Sequence, residues 1–245
     1  MMLTRRSILI GSLALTAATV ARAQTPGGVM VFGGTGKLGV EIVKRLAAKG
    51  EAVTVFVRKQ SKRDGLTGLK VNYAEGDLFN RDSVIEAAVA AKPRAMVVAL
   101  RVMDNDVTFY VRSMINIAAA GRAAGVKQVI HHGAVGAGDN ARHFTNLGWD
   151  KVPGLLDRLR DQGAGEDLLK ASGLTYTIIR NARIHPETTP ETGQAKLTED
   201  QTVLTPMTRA DLARLTLDCL DKPACFNKTY HVSDATLTWP PPGRN

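Results

Sequence analysis

The stretch "GVMVFGGTGKLG" at 28–39 constrains this chain more than any other. An apolar run ends in glycines and passes directly into a segment with Leu38, Ile42, Val43 and Leu46 at helical spacing, closed by Gly50. A short buried strand, a glycine turn and an amphipathic helix in that order predict the opening of a βαβ unit. Gly33, Gly36 and Gly39 fit G-x-x-G-x-x-G, while Gly34, Gly36 and Gly39 fit G-x-G-x-x-G. In either register the missing β-carbons let the chain turn tightly and let a pyrophosphate approach the backbone. The helix N-terminus beyond it offers unpaired N–H groups and the positive end of a dipole. In this context the motif predicts a dinucleotide site rather than a purely structural turn.

The rest of the chain repeats the alternation. Strands are expected at 52–57 ("AVTVFV"), 69–77 ("LKVNYAEGD"), 95–100 ("AMVVAL"), 127–132 ("KQVIHH"), 175–180 ("TYTIIR") and 228–232 ("KTYHV"). Helices are expected at 81–91, along a face shared by Val107, Val111, Met114 and Ala118, at 154–172 despite its glycines, and at 208–221 with Thr208 as N-cap. Strands alternating with helices give a parallel sheet covered on both faces. Right-handed crossovers make it a Rossmann-type, doubly wound α/β fold. A single domain over 24–245 is expected, with a small C-terminal region on the substrate side; 245 residues are too few for two comfortable domains. Segments 134–153 and 181–207 lack periodicity and read as loops over the carboxyl ends of the strands, where ligands bind. The tail "WPPPGRN" continues no element, because its prolines lack N–H donors.

Ahead of the glycine loop stands "TRRSILIGSLALTAATVARAQ". A basic start, a short apolar run and the small-x-small triplet Ala21-Arg22-Ala23 predict a signal peptide over 1–23. Arg5 and Arg6 resemble the twin-arginine export motif, with Ile8 at the usual aromatic or leucine position; an ordinary secretory signal is the other reading. The twin-arginine route carries folded proteins, so a bound dinucleotide would travel with the fold into the periplasm. After removal of the signal no stable membrane span is expected. Arg5, Arg6 and Arg22 carry three of the nine net positive charges of the whole chain. The remaining excess suits an anionic ligand, or solubility alone. Lys and Arg are dispersed without interleaved aromatics, so no nucleic-acid partner is expected. The two cysteines, Cys219 and Cys225, form no disulfide framework, and a buried thiol is the default for Cys219 in its apolar helix. No metal-ligand spacing is present; His185, Glu187 and Glu191 belong to a solvated loop or lid.

The end of the second strand separates the two dinucleotides. An NAD site wants an acid about 20 residues past the glycines, on the ribose hydroxyls. This chain reads "FVRKQSKR", with no acid between Ala52 and Arg63. Arg58 follows the strand directly, where a guanidinium can grip a 2′-phosphate, and Lys59 and Lys37 add charge. NADP is therefore expected over NAD.

The segments "GGTGKLG", "VRK", "EGDLFNRDSV", "VIHHGAVGAG", "LLKASGLTYTIIR" and "TPMTRADLARLTLDCL" together resemble an atypical short-chain dehydrogenase/reductase of the NmrA-like, NAD(P)-binding family. The resemblance runs from about 28 to 233. It implies that Thr35, Gly36, Lys37 and Leu38 wrap the pyrophosphate, beside the cofactor-binding Gly33, Gly34 and Gly39 of the glycine motif, that Asp77 and Leu78 lie at the adenine, and that Ala99, Leu100 and Arg101 line the path to the nicotinamide ribose.

Conventional members of that wider group use a Ser and a Tyr-x-x-x-Lys pair as a proton relay. Here the Ser position is Gly133, the Tyr position Arg158 and the Lys position Gln162. None of Tyr73, Tyr110, Tyr176 or Tyr230 is followed by Lys at the fourth position. Two readings remain. One is a reductase of a small or planar acceptor that works by proximity, with the proton from solvent. The other is a non-catalytic dinucleotide sensor or partner-binding protein. The catalytic residue is not assigned. His131 and His132 point to opposite faces of their strand, so at most one can meet the cofactor, and packed histidines are the simpler expectation. Arg180 and Arg183 could meet an anionic substrate, but a structural ion pair with Glu166 or Asp167 is preferred.

Overall fold

The structure is a computed structural model that describes residues 27–102 and 106–239. The signal segment expected at 1–23 lies outside the described residues, as does the tail beyond Trp239. Among the described residues eight strands are present: β1 (Val29–Phe32), β2 (Val53–Val57), β3 (Asn72–Glu75), β4 (Ala95–Val98), β5 (Gln128–Ala134), β6 (Tyr176–Asn181), β7 (Lys196–Thr198) and β8 (Lys228–Ser233). Five α-helices connect them: α1 (Lys37–Ala48), α2 (Arg81–Ala91), α3 (Phe109–Ala123), α4 (Leu155–Ala171) and α5 (Arg209–Cys219). The sheet order is β3-β2-β1-β4-β5-β6-β8-β7, parallel except for β7, which pairs antiparallel with β8 at the edge.

Helices lie on both faces, and β1 and β4 are apolar throughout for that reason, while β5 and β6 bury Gln128, His131, His132, Thr177 and Arg180 among their apolar residues. Along β1, Val29 and Val31 pack into a layer with Ile42, Val43 and Leu46 of α1 and Leu212 and Leu215 of α5. Met30 and Phe32 enter the opposite layer with Val84 of α2, Met114 and Ile117 of α3 and Leu169 of α4. Strand order reverses between β1 and β4, so a crevice forms at their carboxyl ends, where ligands of such sheets bind. The glycine loop and the residues after β4 meet at that point.

Several local expectations are revised. The short edge strand β7 occurs inside 181–207, which reads as loop in sequence; its three residues are too few for periodicity to register. Helix α3 begins at Phe109, so Val107 precedes it and is exposed, while Met114 and Ala118 are buried. Cys219 is not a free thiol: it is joined to Cys225, with Cα atoms 5.5 Å apart. The turn at Pro223–Cys225 returns the chain onto the end of α5, an approach that a spacing of six residues does not reveal. Thr208 caps α5 as expected, its hydroxyl accepting from the Asp211 N–H at 3.0 Å.

Candidate functional site

The loop between β1 and α1 is built for close backbone approach. Gly33 has φ +77°, a left-handed conformation, and a Cβ there would overlap the Ala99 carbonyl oxygen. A Cβ at Gly39 would overlap the Gly33 carbonyl oxygen, while one at Gly34 would lie 2.6 Å from Val55 Cγ1. Side chains at these positions would push the loop off the sheet. Gly36 is the N-cap of α1 and supplies no side-chain cap. The first bond of the helix ladder is Val40 N–H to the Gly36 carbonyl at 2.8 Å, so the N–H groups of Lys37, Leu38 and Gly39 precede it. No acidic residue sits in that first turn. The cradle and the uncapped helix end fit a pyrophosphate. Lys37 is engaged by Glu187 of the β6–β7 loop at 2.5 Å, and Arg209 approaches the same carboxylate at 3.7 Å. The pair with Lys37 holds the Glu187 carboxyl below its ordinary range.

Arg58 follows the last residue of β2 and is exposed. Its N–H donates to Ser61 Oγ at 3.1 Å, and its guanidinium has no carboxylate partner among the described residues. Asp77 lies two residues past β3, and its backbone N–H and carbonyl both meet Ser83 Oγ at 3.1 Å. The Leu78 carbonyl accepts from Asn116 Nδ2 of α3 at 2.7 Å, which fixes this loop against the next helix. Ala99 N–H donates to the Phe32 carbonyl at 3.0 Å and holds the end of β4 against β1. Leu100 is half-buried and Arg101 exposed just beyond. The residues singled out in sequence thus gather along the carboxyl edge of β1, β2, β3 and β4.

The missing relay has a structural counterpart. A Cβ at Gly133 would overlap Oε1 of Glu166, so this carboxylate fills the place of a serine side chain. Glu166 Oε2 accepts from Arg180 Nε at 3.0 Å and Nη2 at 2.7 Å, the ion pair expected from sequence. Arg180 also reaches Asp139 at 2.6 Å and Gln201 at 3.0 Å. Burial pushes the Glu166 carboxyl up, against the downward pull of Arg180. Arg180 is therefore committed to the fold and does not face a substrate. Arg183 instead lies over the Trp239 ring at 5.2 Å.

Both strand histidines are buried. His132 Nε2 meets the Thr216 hydroxyl of α5 at 3.1 Å, while neither ring nitrogen of His131 has a partner. Burial lowers His131 to about 4, with Arg180 adding to it, and lowers His132 to about 3, with His131 adding to it. Both are neutral near pH 7 and neither is poised as a proton donor there. His185 bonds the Thr238 carbonyl at 2.9 Å, and Glu191 pairs with Arg45 and Arg214. No cluster of metal-ligating side chains occurs among the described residues.

Spacing in the sequence does not single out Tyr110. It is buried on α3, and its hydroxyl accepts from the Val102 N–H at 3.5 Å, at the segment that follows Arg101. Burial raises its phenol. Only the packing of α3 under the β4 loop reveals this proximity. The N-terminus of α3 is itself closed, since Tyr110 and Val111 N–H donate to Asp161 at 2.7 and 3.1 Å.

Fold and glycine cradle define an NAD(P)-binding Rossmann domain. Residues 33–223 match the NAD(P)H-binding family, and the chain belongs to it. Sterol demethylase protein B of Methylococcus capsulatus is 34% identical over 166 residues, 63% of this chain and 51% of that protein, so the chain spans about half of its length. An NAD(P)H azoreductase of Xenophilus azovorans is 23% identical over 211 residues, covering 84% of this chain and 67% of that protein. The solved structure of ChuY, an anaerobillin reductase from Escherichia coli O157:H7, is similar with a TM-score of 0.74 at 20% identity, over 86% of this chain and 98% of that one. No helix among the described residues is long and apolar enough to cross a membrane.

Proposed function

We propose that the protein is an NADP(H)-dependent reductase of a small or planar acceptor that works without a Tyr–Lys relay. The observation that carries the reading is Arg58, exposed directly after β2 and free of any carboxylate partner among the described residues. A guanidinium there favours a 2′-phosphate over bare ribose hydroxyls. In this reading Gly33 to Gly39 hold the pyrophosphate, Asp77 and Leu78 flank the adenine, and Ala99, Leu100 and Arg101 line the nicotinamide ribose. The bound dinucleotide supplies a hydride. The chain's own part is to fix the nicotinamide end beside the acceptor, with the proton drawn from solvent. Two similar proteins are named as reductases, one of them acting on azo compounds, which supports a conjugated acceptor.

Gly133, Arg158 and Gln162 at the relay positions favour a second reading, a non-catalytic dinucleotide sensor. We further propose export to the periplasm by the twin-arginine route. The Cys219–Cys225 disulfide supports an oxidising compartment.

The test is a pair of titrations with a turnover assay. Arg58→Ala should weaken NADPH binding about 10- to 100-fold while leaving NADH nearly unchanged, as for loss of a charged hydrogen-bonding contact. Equal weakening of both removes the assigned role. NADPH oxidation with azo dyes, quinones or flavins supports the reductase. Tight dinucleotide binding with no turnover on any of them favours the sensor.

A further inference from the structure

A cavity of about 540 Å³ opens between the β5–α4 connection and the flank of α4 turned away from α3. Its lining shares no residue with the glycine loop, Arg58, the β3 loop or the β4 loop. One wall is aromatic. Phe144 stacks on Trp149 at 5.7 Å and 23°, and also lies near-parallel to His231 at 6.2 Å and 17°. The stack is set by backbone conformation. Gly136 has φ +87°, and a Cβ there would overlap the six-membered ring of Trp149. Gly138 has φ +54° and sits against Gly163 of α4, so the loop closes down on the helix. The facing wall is aliphatic, formed by Leu156, Leu159 and Ala164.

The charges at the rim decide what enters. Arg160 pairs with Asp157 at 2.7 Å, and Asp167 pairs with Lys170 at 3.5 Å. Asp150 also lines the cavity and has no ion-pair partner among the described residues. An anion would meet Asp150 and find no free cation on the lining. Aromatic and aliphatic walls of this size, with few polar groups, are the surroundings of a ring system. We propose that this cavity is a binding site for a flat, uncharged molecule of two or three fused rings. The site is separate from the dinucleotide cradle and fills independently of it. It stands whether or not the protein turns over.

The chain has two tryptophans, so in Trp239→Phe the emission reports Trp149 alone. The probe is lumichrome, three fused rings without phosphate. Its partner is flavin mononucleotide, which carries a ring system of the same kind with a phosphate. The expected result is saturable quenching by lumichrome, at least tenfold weaker binding of flavin mononucleotide, and a lumichrome affinity changed less than twofold by saturating NADP⁺. Ala164→Phe, on the exposed side of α4, should weaken lumichrome at least tenfold with an unchanged melting temperature. Leu156→Asp serves the same purpose if Ala164→Phe does not fold. Absent quenching, equal affinity in a folded filling variant, or displacement of lumichrome by NADP⁺ overturns the proposal. Quenching of this pattern without NADPH oxidation sustains it while removing the reductase reading.

Discussion

Lowering the pH from 8 to 5 should destabilise the fold through His131 and His132. Both are fully buried and their folded values are lowered, to about 4 and about 3. The unfolded chain protonates them at about 6.5. A depressed folded value means that the unfolded state takes the proton first. The stability they contribute is therefore complete above about pH 6.5 and is lost as pH falls toward the folded values. At pH 5 each neutral imidazole should cost about 2 kcal/mol, or about 4 kcal/mol together, against a typical total stability of about 5–15 kcal/mol. His231 is lowered by burial as well and acts in the same direction. Urea unfolding at both pH values measures the loss. His131→Phe removes one titrating group at a site where neither ring nitrogen has a partner. In that variant the pH-dependent loss should shrink by about 2 kcal/mol. An undiminished loss in the variant, or a wild-type stability flat from pH 8 to 5, would refute the assignment of these histidines as buried and neutral.

Gly39→Ala should abolish dinucleotide binding, because its Cβ meets the Gly33 carbonyl oxygen; calorimetric titration with NADPH reads this directly. Gly133→Ser should destabilise the fold by about 1–3 kcal/mol, since it overpacks against the buried Glu166 carboxylate, and should restore no relay. Replacing Cys219 and Cys225 by Ala should cost about 2 kcal/mol for so short a loop, read as a fall in the urea midpoint. Changing Arg5 and Arg6 together to Lys should block export of the full chain; undiminished export favours the ordinary secretory route.

Most of the sheet is legible because its strands are buried on both faces and announce themselves as short apolar runs. The residues Val29–Phe32, Val53–Val57 and Ala95–Val98 are of this kind. The α4 helix is legible despite Gly163 and Gly165, whose packing against Gly138 and Tyr110 also gives them a structural reason. The glycine cradle is legible because its chemistry is local: three glycines at fixed spacing before a helix. What escapes sequence is contact between distant segments. Glu166 filling the space at Gly133 joins a helix to a strand 33 residues earlier. The Cys219–Cys225 bond depends on how the chain turns at Pro223–Cys225. Tyr110 reaches Val102 only through the packing of α3, and the Phe144–Trp149 wall forms inside a segment that carries no periodicity. Lys37 reads as a free cation in sequence, yet Glu187 holds it.

The most direct test of the central claim is to denature the purified protein, weigh the released nucleotide by mass spectrometry, and titrate the emptied protein with NADPH and NADH. One equivalent of NADP(H), or saturable binding with NADPH clearly tighter than NADH, is the predicted result. An empty protein with affinity for neither would contradict it and leave the glycine cradle a purely structural turn.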